Sequence, residues 1–562
     1  MINRAKKLII TLLALALAVC QLSASMYMFQ MDHPVYDEMD ALYIMEGKTT
    51  GLGIKPWSDT DVRHMLQDVT PSSDTAKVLK AHIESYLESL EKKTRLYFDV
   101  SITPGVAYHT NADEFDSADD WYSNSTLDDT LADLKLGFSY KEYLMGFVDF
   151  SVGFNYAAFE DLDDITDFDI RYKEDGATNI LGVSEGTFSA NMPNRAFLVT
   201  GGDGFRANVG RDRLSWGNGM MGNLMLGDTL PYHNFFSATF TGSEHFSYQM
   251  LISFFTHSVD YINKSIKDDV NGLRFFLGHR FEFSFLEHRL KFVLNEAIMY
   301  QSENGYLNPG VLNPLMFLHN LYISENANSL VTAEVEWSPA KNWSLYMQAA
   351  VDEFQLPGES SDLPSAWGLM AGVRHISPKG INYSYSGFEF VYTNPYLYHR
   401  TDSEYDLYYT AAIRAYYDED DYVDDGMRIL IRYLSLPYGS DSIAGLYRFG
   451  YNNLQRYKLE GDVMFLVHGI MNEYSEVNSK QDYSSTPTTS NSSYTGDYYS
   501  SLQLEDGEVE YSLIFGGRGS LKITRWLSLS GSMFFNIYWN KDNVDENNAM
   551  DVQLSLGLKI EI

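Results

Sequence analysis

The sequence predicts an all-β transmembrane barrel of about 16–18 antiparallel strands behind a small N-terminal helical bundle. Three observations predict it. At the C-terminus, Val552, Leu554, Leu556, Leu558, Ile560 and Ile562 alternate with Asp551, Gln553, Ser555, Gly557, Lys559 and Glu561. Successive strand side chains point to opposite faces, so this segment has one oily and one wet face, as a strand closing a lipid-embedded barrel requires. The N-terminus has the composition of an export signal. Aromatic residues reach 15%, with 41 Tyr and 33 Phe, yet no apolar run of ~20 residues comes after the first segment to make a membrane helix.

Taking the elements in order, Arg4, Lys6 and Lys7 precede an apolar run over residues 8–19, and small residues come next at Ser23, Ala24 and Ser25. Residues 1–25 read as a signal peptide that is cut off. The apolar run is short for a retained anchor, which needs ~20 residues. Cys20 offers a lipidation site, although Val19 is a poor residue before a lipidated cysteine. Cleavage near Ser25 leaves a mature chain without cysteine, so neither disulfide nor thiol chemistry is expected.

Residues 26–94 read as a periplasmic helical module. Pro34 suits a first helical turn, and Val35, Met39, Leu42 and Tyr43 share one face. The Gly51-Leu-Gly-Ile-Lys-Pro-Trp57 turn is next, then Ser58-Asp-Thr-Asp61, which has the spacing of a capping box. A third helix is predicted from Asp74, burying Val78, Leu79, Ile83, Tyr86, Leu87 and Leu90. Such a bundle is too small to stand alone and must lean on the strands C-terminal to it.

From Arg95 the period changes to two, giving the barrel over residues 95–562. Val148, Phe150, Val152 and Phe154 alternate with Asp149, Ser151 and Gly153, and Phe281, Phe283 and Phe285 with Glu282 and Ser284. Tyrosines and phenylalanines of such a chain form girdles at the two membrane interfaces. No fixed repeat points to a propeller or solenoid. A large secreted β-sandwich is the competing architecture for this composition. Long polar insertions separate the strands: acidic stretches at 111–130, 160–169 and 418–425, and a Ser/Thr/Tyr/Asn-rich one at 475–501. Barrels carry long loops outside and short turns in the periplasm, so these are assigned outward. Solvation accounts for the acidic runs, and no EF-hand spacing marks them as an ion site.

Formal charge is −35, which repels nucleic acid. No G-x-S-x-G elbow, P-loop, H-E-x-x-H or cysteine cluster is present. No cofactor and no metal site is expected. Three segments depart from plain amphipathic strands: Val209-Gly-Arg-Asp-Arg-Leu-Ser-Trp-Gly-Asn-Gly219, Tyr306-Leu-Asn-Pro-Gly-Val-Leu-Asn-Pro-Leu-Met-Phe317 after Asn295-Glu296, and Phe390-Val-Tyr-Thr-Asn-Pro-Tyr-Leu-Tyr-His399. Arg211 and Arg213 are costly in lipid and are expected to face the lumen. Flat rings stack on sugar faces while amides, Asp and Arg bond hydroxyls. The candidate ligand-binding residues are therefore Arg211, Asp212, Arg213, Trp216, Asn218, Asn313, Tyr392, Asn394, Tyr396, Tyr398 and His399. The competing use of the same residues is packing, girdle formation and charge bracing of the wall.

The Gly-Arg-Asp-Arg-Leu-Ser-Trp-Gly-Asn-Gly run, the Leu-Asn-Pro-Leu segment and the Tyr-Thr-Asn-Pro-Tyr-Leu-Tyr-His run resemble, in order, the Wzi-type capsule-assembly outer-membrane proteins, as does Gly53-Ile-Lys-Pro-Trp-Ser58 in the helices. The resemblance implies a monomeric barrel of about eighteen strands with a helical bundle at its periplasmic end. It also implies a lectin-like role in holding capsular polysaccharide at the cell surface, without catalysis. The Ser/Thr/Tyr-rich loop, the acidic runs and the terminal Ile562 depart from that pattern. The expectation is thus a non-catalytic outer-membrane protein that binds or organises surface polysaccharide, with lipid and glycan as partners. A porin for small solutes is the alternative, and an outer-membrane hydrolase a third class.

Overall fold

The computed structural model describes residues 26–91, 96–111, 115, 122, 130–141, 143–155, 187–190, 193–255, 259–260, 265–266, 273–302, 310, 313, 327–353, 366–399, 407–417, 427–454, 456–471 and 509–561. The leader, the 160–169 and 418–425 acidic runs and the 475–501 loop lie outside them.

Eighteen antiparallel strands close into a barrel. Strand β1 runs Leu96–Ile102 and, past Thr103-Pro104, Gly105–His109. Then come β2 (Ala132–Tyr140), β3 (Leu144–Asn155) and β4 (Thr187–Ala190 with Ala196–Gly202). Next are β5 (Phe205–Asp212), β6 (His233–Phe240), β7 (Phe246–Phe255), β8 (Arg274–Phe285) and β9 (Leu290–Gln301). They are followed by β10 (Ala327–Trp337), β11 (Trp343–Glu353), β12 (Ala366–Lys379) and β13 (Asn382–Thr393). The last five are β14 (Ser442–Asn453), β15 (Tyr457–His468), β16 (Glu510–Thr524), β17 (Leu527–Trp539) and β18 (Ala549–Glu561). Closure joins the chain's ends: β18 pairs with β17 on one side and with β1 on the other, at Gln553↔His109 and Ser101↔Glu561. That pairing leaves no free edge.

The terminal strand has the predicted parity. Met550, Leu554 and Leu556 are exposed on the outer wall, whereas Asp551 and Gln553 are 2% exposed inside. Tryptophans mark both rims. Trp337, Trp343 and Trp526 sit on the outer wall at the short-turn end, and Trp367 and Trp539 at the long-loop end. Their amphipathic rings suit the water–lipid boundary. The two-residue reversal at Gly380-Ile381 between β12 and β13 has Gly380 at φ +67, a conformation glycine enters at little cost.

The helices are α1 (Val35–Met45), α2 (Asp59–Gln67) and α3 (Asp74–Glu91). The capping box forms as its spacing predicts: Asp61 N–H donates to Ser58 Oγ (3.1 Å) and Ser58 N–H to Asp61 Oδ2 (2.7 Å). Helix α1 departs from the one-faced expectation. Tyr36, Ala41, Ile44 and Met45 are buried along with Val35, Met39, Leu42 and Tyr43. A helix that buries apolar residues on more than one face must be enclosed, and α1 is enclosed by the barrel mouth. Its core continues into the wall through Ile376 and Tyr383. The module is fastened to short turns: Thr49 N–H to His288 O (2.7 Å), Asn342 N–H to Ile44 O (2.7 Å), Thr75 Oγ1 to Gly380 O (2.5 Å). It therefore sits in the short-turn end.

Candidate functional site

A segment that crosses a lumen without joining a sheet leaves its backbone N–H groups in need of acceptors. The wall supplies them. The 213–232 connection between β5 and β6 starts at the long-loop end and turns inward. Its Met220 and Met221 amides donate to Glu389 of β13 (2.7 Å each), and Leu224 N–H to Gln348 Oε1 of β11 (3.0 Å). From the opposite end the module's 47–58 segment rises. Thr50 N–H and Oγ1 donate to Glu336 of β10 (2.5 and 2.7 Å), and Gly53 N–H to Glu282 of β8 (3.0 Å). Lys291 Nζ donates to the carbonyls of Thr50 and Gly51 (2.8 and 2.5 Å).

The two segments meet inside the barrel. Ile54–Lys55 pairs antiparallel with Ser215–Trp216, and Gly217 N–H donates to Gly53 O (2.8 Å). The described residues of the β13–β14 connection, 394–399, 407–417 and 427–441, cover them. The Tyr398 hydroxyl donates to Leu224 O (2.8 Å). Leu214, Trp216, Leu224, Leu226, Leu397, Tyr398, Tyr409, Leu434 and Leu436 form one buried cluster with inward wall residues. This part of the lumen is a packed core.

The sequence-predicted residues divide among several places. Trp216 is 1% exposed; its Nε1 donates to Gln249 Oε1 (2.5 Å) and its ring lies over Gly278, where a Cβ would stand 2.7 Å from it. Asn218 Nδ2 donates to Thr50 Oγ1 (2.7 Å). Asp212 is buried against Arg195, which donates Nε and a terminal nitrogen to it (2.7 and 3.1 Å). Asn394 Oδ1 accepts from Tyr396 N–H (2.9 Å), and His399 Nε2 lies 2.6 Å from the Tyr433 hydroxyl; all four are buried. These residues are internal struts.

Four candidates lie elsewhere. Arg211 does not face the lumen. It has the parity of outward Phe205 and Val209, opposite Asn234. The cost of a charge in lipid is avoided because β5 ends one residue later, at the rim, where Arg211 Nε donates to Asn234 Oδ1 (2.9 Å) and the guanidinium stacks on Tyr232 (4.0 Å). Arg213 is half-exposed beside Asp228 (3.4 Å), also at the rim. Tyr392 is on the outer wall against Trp367, ring centroids 4.9 Å apart. Asn313 is exposed in the β9–β10 connection.

The plug's anchors, Glu282, Glu336 and Glu389, escaped the sequence reading, although a signal was present. Each stands between outward apolar residues (Phe281-Glu282-Phe283, Val335-Glu336-Trp337, Phe388-Glu389-Phe390). A lone carboxylate at the wet parity of an oily strand faces the lumen and needs donors there. Among the described residues no group of three His, Cys, Asp or Glu is placed to hold a metal. His233 Nδ1 lies 2.9 Å from Ser253 Oγ, and both residues are buried.

No protein-family description matches the chain, and no curated protein does. Solved structures do. Over most of its length the chain shares the fold of Wzi. That protein, from Escherichia coli, is described as an outer-membrane protein involved in group 1 capsule assembly and a carbohydrate-binding β-barrel. The likeness has a TM-score of 0.58 at 15% identity and covers 95% of this chain and 99% of Wzi. Looser likenesses are to the outer-membrane channel DcaP of Acinetobacter baumannii (TM-score 0.34, 9% identity, 83% of this chain and 97% of that one) and to OprD of Pseudomonas aeruginosa (TM-score 0.39, 7%, 83% and 95%). Those two are too distant to bear on this chain. The Wzi likeness establishes the barrel of outer-membrane type, with its terminal helices.

Proposed function

We infer that this chain is a monomeric outer-membrane barrel, delivered by a cleaved leader, that binds or organises surface polysaccharide without catalysis. The observation carrying this reading is the filled lumen. A barrel that commits three segments to closing its interior is suited to presenting a surface, and its long loops are the surface it presents. In this reading the short turns and helices face the periplasm and the long loops face outward, as in bacterial barrels generally. The glycan then meets the rim, where Arg213, Asp228 and Asn313 are exposed. Trp216, Asn394, Tyr396, Tyr398 and His399 act behind it, holding the loops that form the rim. The Wzi fold, with its carbohydrate-binding description, supports the same role.

Gene deletion is expected to release surface glycan into the medium, and detergent-solubilised protein to bind glycans on an array. Unchanged retention together with a blank array sinks the proposal. A second reading, a narrow solute channel, has one observation in its favour: the inward residues Ser528, Ser530, Ser532, Ser555 and Gly557 of β17 and β18 are small and leave room beside the plug. Planar-bilayer recording separates the two, since the favoured reading expects almost no current.

A further inference from the structure

Three consecutive short turns on one side of the barrel carry cations and no carboxylate. Ser377-Pro-Lys379-Gly-Ile381 lies at the β12–β13 turn, Leu454-Gln-Arg456 at β14–β15 and Lys522-Ile-Thr-Arg525-Trp526 at β16–β17. Lys379, Arg456, Lys522 and Arg525 are all exposed, and among the described residues none of them has an ion-pair partner. The chain holds 76 Asp and Glu against 41 Lys and Arg, so composition alone favours acidic turns. The turns on the other side follow composition: Asp203, Glu244 and Glu287 are exposed at β4–β5, β6–β7 and β8–β9. The short-turn edge is therefore basic on one side and acidic on the other.

A second, independent feature says what the basic side meets. Ile381, Leu459, Ile523 and Trp526, each within three residues of one of these cations, are 46–54% exposed. Lys379 has the parity of outward Trp367 and His375, and His375 packs on outward Trp343 with ring centroids 4.3 Å apart. An exposed apolar and aromatic row of this kind marks where hydrocarbon gives way to water. The cations stand one step beyond it, in the layer that lipid headgroups occupy, on stems long enough to reach along the wall. Neighbouring strands lie ~4.8 Å apart, so short turns recur roughly every 10 Å along the edge. Cations spread in that way match a layer of headgroups better than one small soluble ligand. On the adjoining α3, docked through Thr75 to Gly380, Asp74 and Glu84 are engaged by Lys77 (3.0 Å) and Lys80 (3.8 Å). At the end of β18, Glu561 is engaged by Lys559 (3.3 Å).

We propose that the turns from β12 to β17 gather anionic phospholipids, the phosphodiester headgroups of the leaflet that meets the short turns, on one side of the barrel. Lys379, Arg456 and Arg525 face the phosphates, and Ile381, Ile523 and Trp526 lie among the upper parts of the acyl chains. Lys522, which has inward parity opposite Ser528, adds its field from the barrel mouth. A basic edge draws anionic headgroups over about one Debye length, ~10 Å at 0.1 M salt. The acidic turns on the other side repel the same lipids, so the ring of lipid around the barrel is sorted by charge. The proposal rests on the barrel standing in a bilayer and not on the polysaccharide reading.

The test is tryptophan quenching of the full chain in phosphatidylcholine vesicles, with the same small share of the lipid replaced by brominated phosphatidylcholine or brominated phosphatidylglycerol. The Trp526 signal is the difference from Trp526→Phe, and that of Trp367, at the long-loop end, the difference from Trp367→Phe. Brominated phosphatidylglycerol is expected to quench Trp526 as if enriched about fivefold over the phosphatidylcholine, and to show no such preference at Trp367. Raised salt removes the preference. Lys379→Gln combined with Arg456→Gln and Arg525→Gln abolishes it, whereas Lys379→Arg with Arg456→Lys and Arg525→Lys retains it. Unchanged heat resistance on gels shows that both variants are folded. Equal quenching of Trp526 by the two lipids in the parent, the same preference at Trp367, or a preference that survives the triple Gln substitution overturns the proposal. A soluble polyuronate held by the detergent-solubilised parent through these three cations, with no lipid preference in vesicles, overturns it too and assigns the edge to an acidic polymer.

Discussion

Thr50 and Glu336 are 286 residues apart in sequence and joined twice, by the Thr50 N–H (2.5 Å) and hydroxyl (2.7 Å) donating to one buried carboxylate. This is the seam between helical module and barrel wall. Glu336 also accepts from Ser344 Oγ (2.8 Å) and pairs with Lys291 (3.5 Å), so its removal strands several buried partners. Glu336→Ala is expected to cost about 3 kcal/mol at the seam. Limited proteolysis should then cut the module while the barrel keeps its resistance to heat and detergent. A variant as resistant as the parent contradicts the assignment.

The plug depends on Glu389 in the same way, through the Met220 and Met221 amides and the Tyr346 hydroxyl. Glu389→Ala should loosen the 213–232 segment and raise single-channel conductance above the near-zero parent. Glu389→Gln keeps an acceptor oxygen and should leak less. If both variants stay silent, the segment is held by packing alone.

Trp216 reports on its seat over Gly278. A methyl placed there would stand 2.7 Å from the indole, and Phe276 closes the other side at a centroid distance of 6.1 Å. Gly278→Val is expected to destabilise by about 1–3 kcal/mol through overpacking. Difference fluorescence against a Trp216→Phe background should show the indole emission moving to the red, whereas an unmoved emission argues that the ring has another place to go.

The outward parity of β18 is tested by neighbouring residues. Leu556 is 50% exposed on the outer wall and Ser555 is buried inside. Leu556→Arg should cost roughly 2–4 kcal/mol in lipid, the range for a charge near the bilayer midplane. Ser555→Asn faces the lumen and should be much milder. Refolding yield into vesicles measures both, and equal effects would refute the orientation.

The module's docking is expected to depend on pH through Glu38. Burial, reinforced by the charge of Asp37 and partly offset by Lys458, pushes its carboxyl up to about 8, and His82 lies 3.5 Å away. A carboxyl with a folded value above its unfolded 4.5 favours the folded state only while protonated. Its contribution is complete below 4.5 and disappears as pH climbs toward 8. His33 acts in the opposite sense: burial lowers it to about 4, so folding weakens as pH falls below 6.5. Glu38→Gln should therefore match the parent at pH 4.5 and exceed it at pH 8, by an amount on the order of 1–2 kcal/mol. Thermal melts at the two pH values check this, and a constant difference between variant and parent rules it out.

What the sequence alone determined was everything set by alternation and local chemistry. Each strand's oily residues must face lipid and its polar ones must not, a rule that acts within two residues, so β18 and its neighbours were legible. The Ser58–Asp61 cap, a contact across three residues, was legible for the same reason. Where a strand stops is less local, and Arg211 was misplaced because its escape from lipid depends on the end of β5 and on Asn234 across the ladder.

Only the tertiary structure decided what the 213–232 connection and the described residues of 394–441 do. The apolar residues of 213–232 set it apart from the acidic and Ser/Thr-rich loops but do not say where it goes. Both segments turn inward because acceptors and donors brought together by closure, such as Glu389 for Met220 and Leu224 O for Tyr398, stand 169 and 174 residues away. Burial of backbone polar groups is tolerated only where such partners converge, and convergence is a property of the closed cylinder that no short stretch of sequence contains.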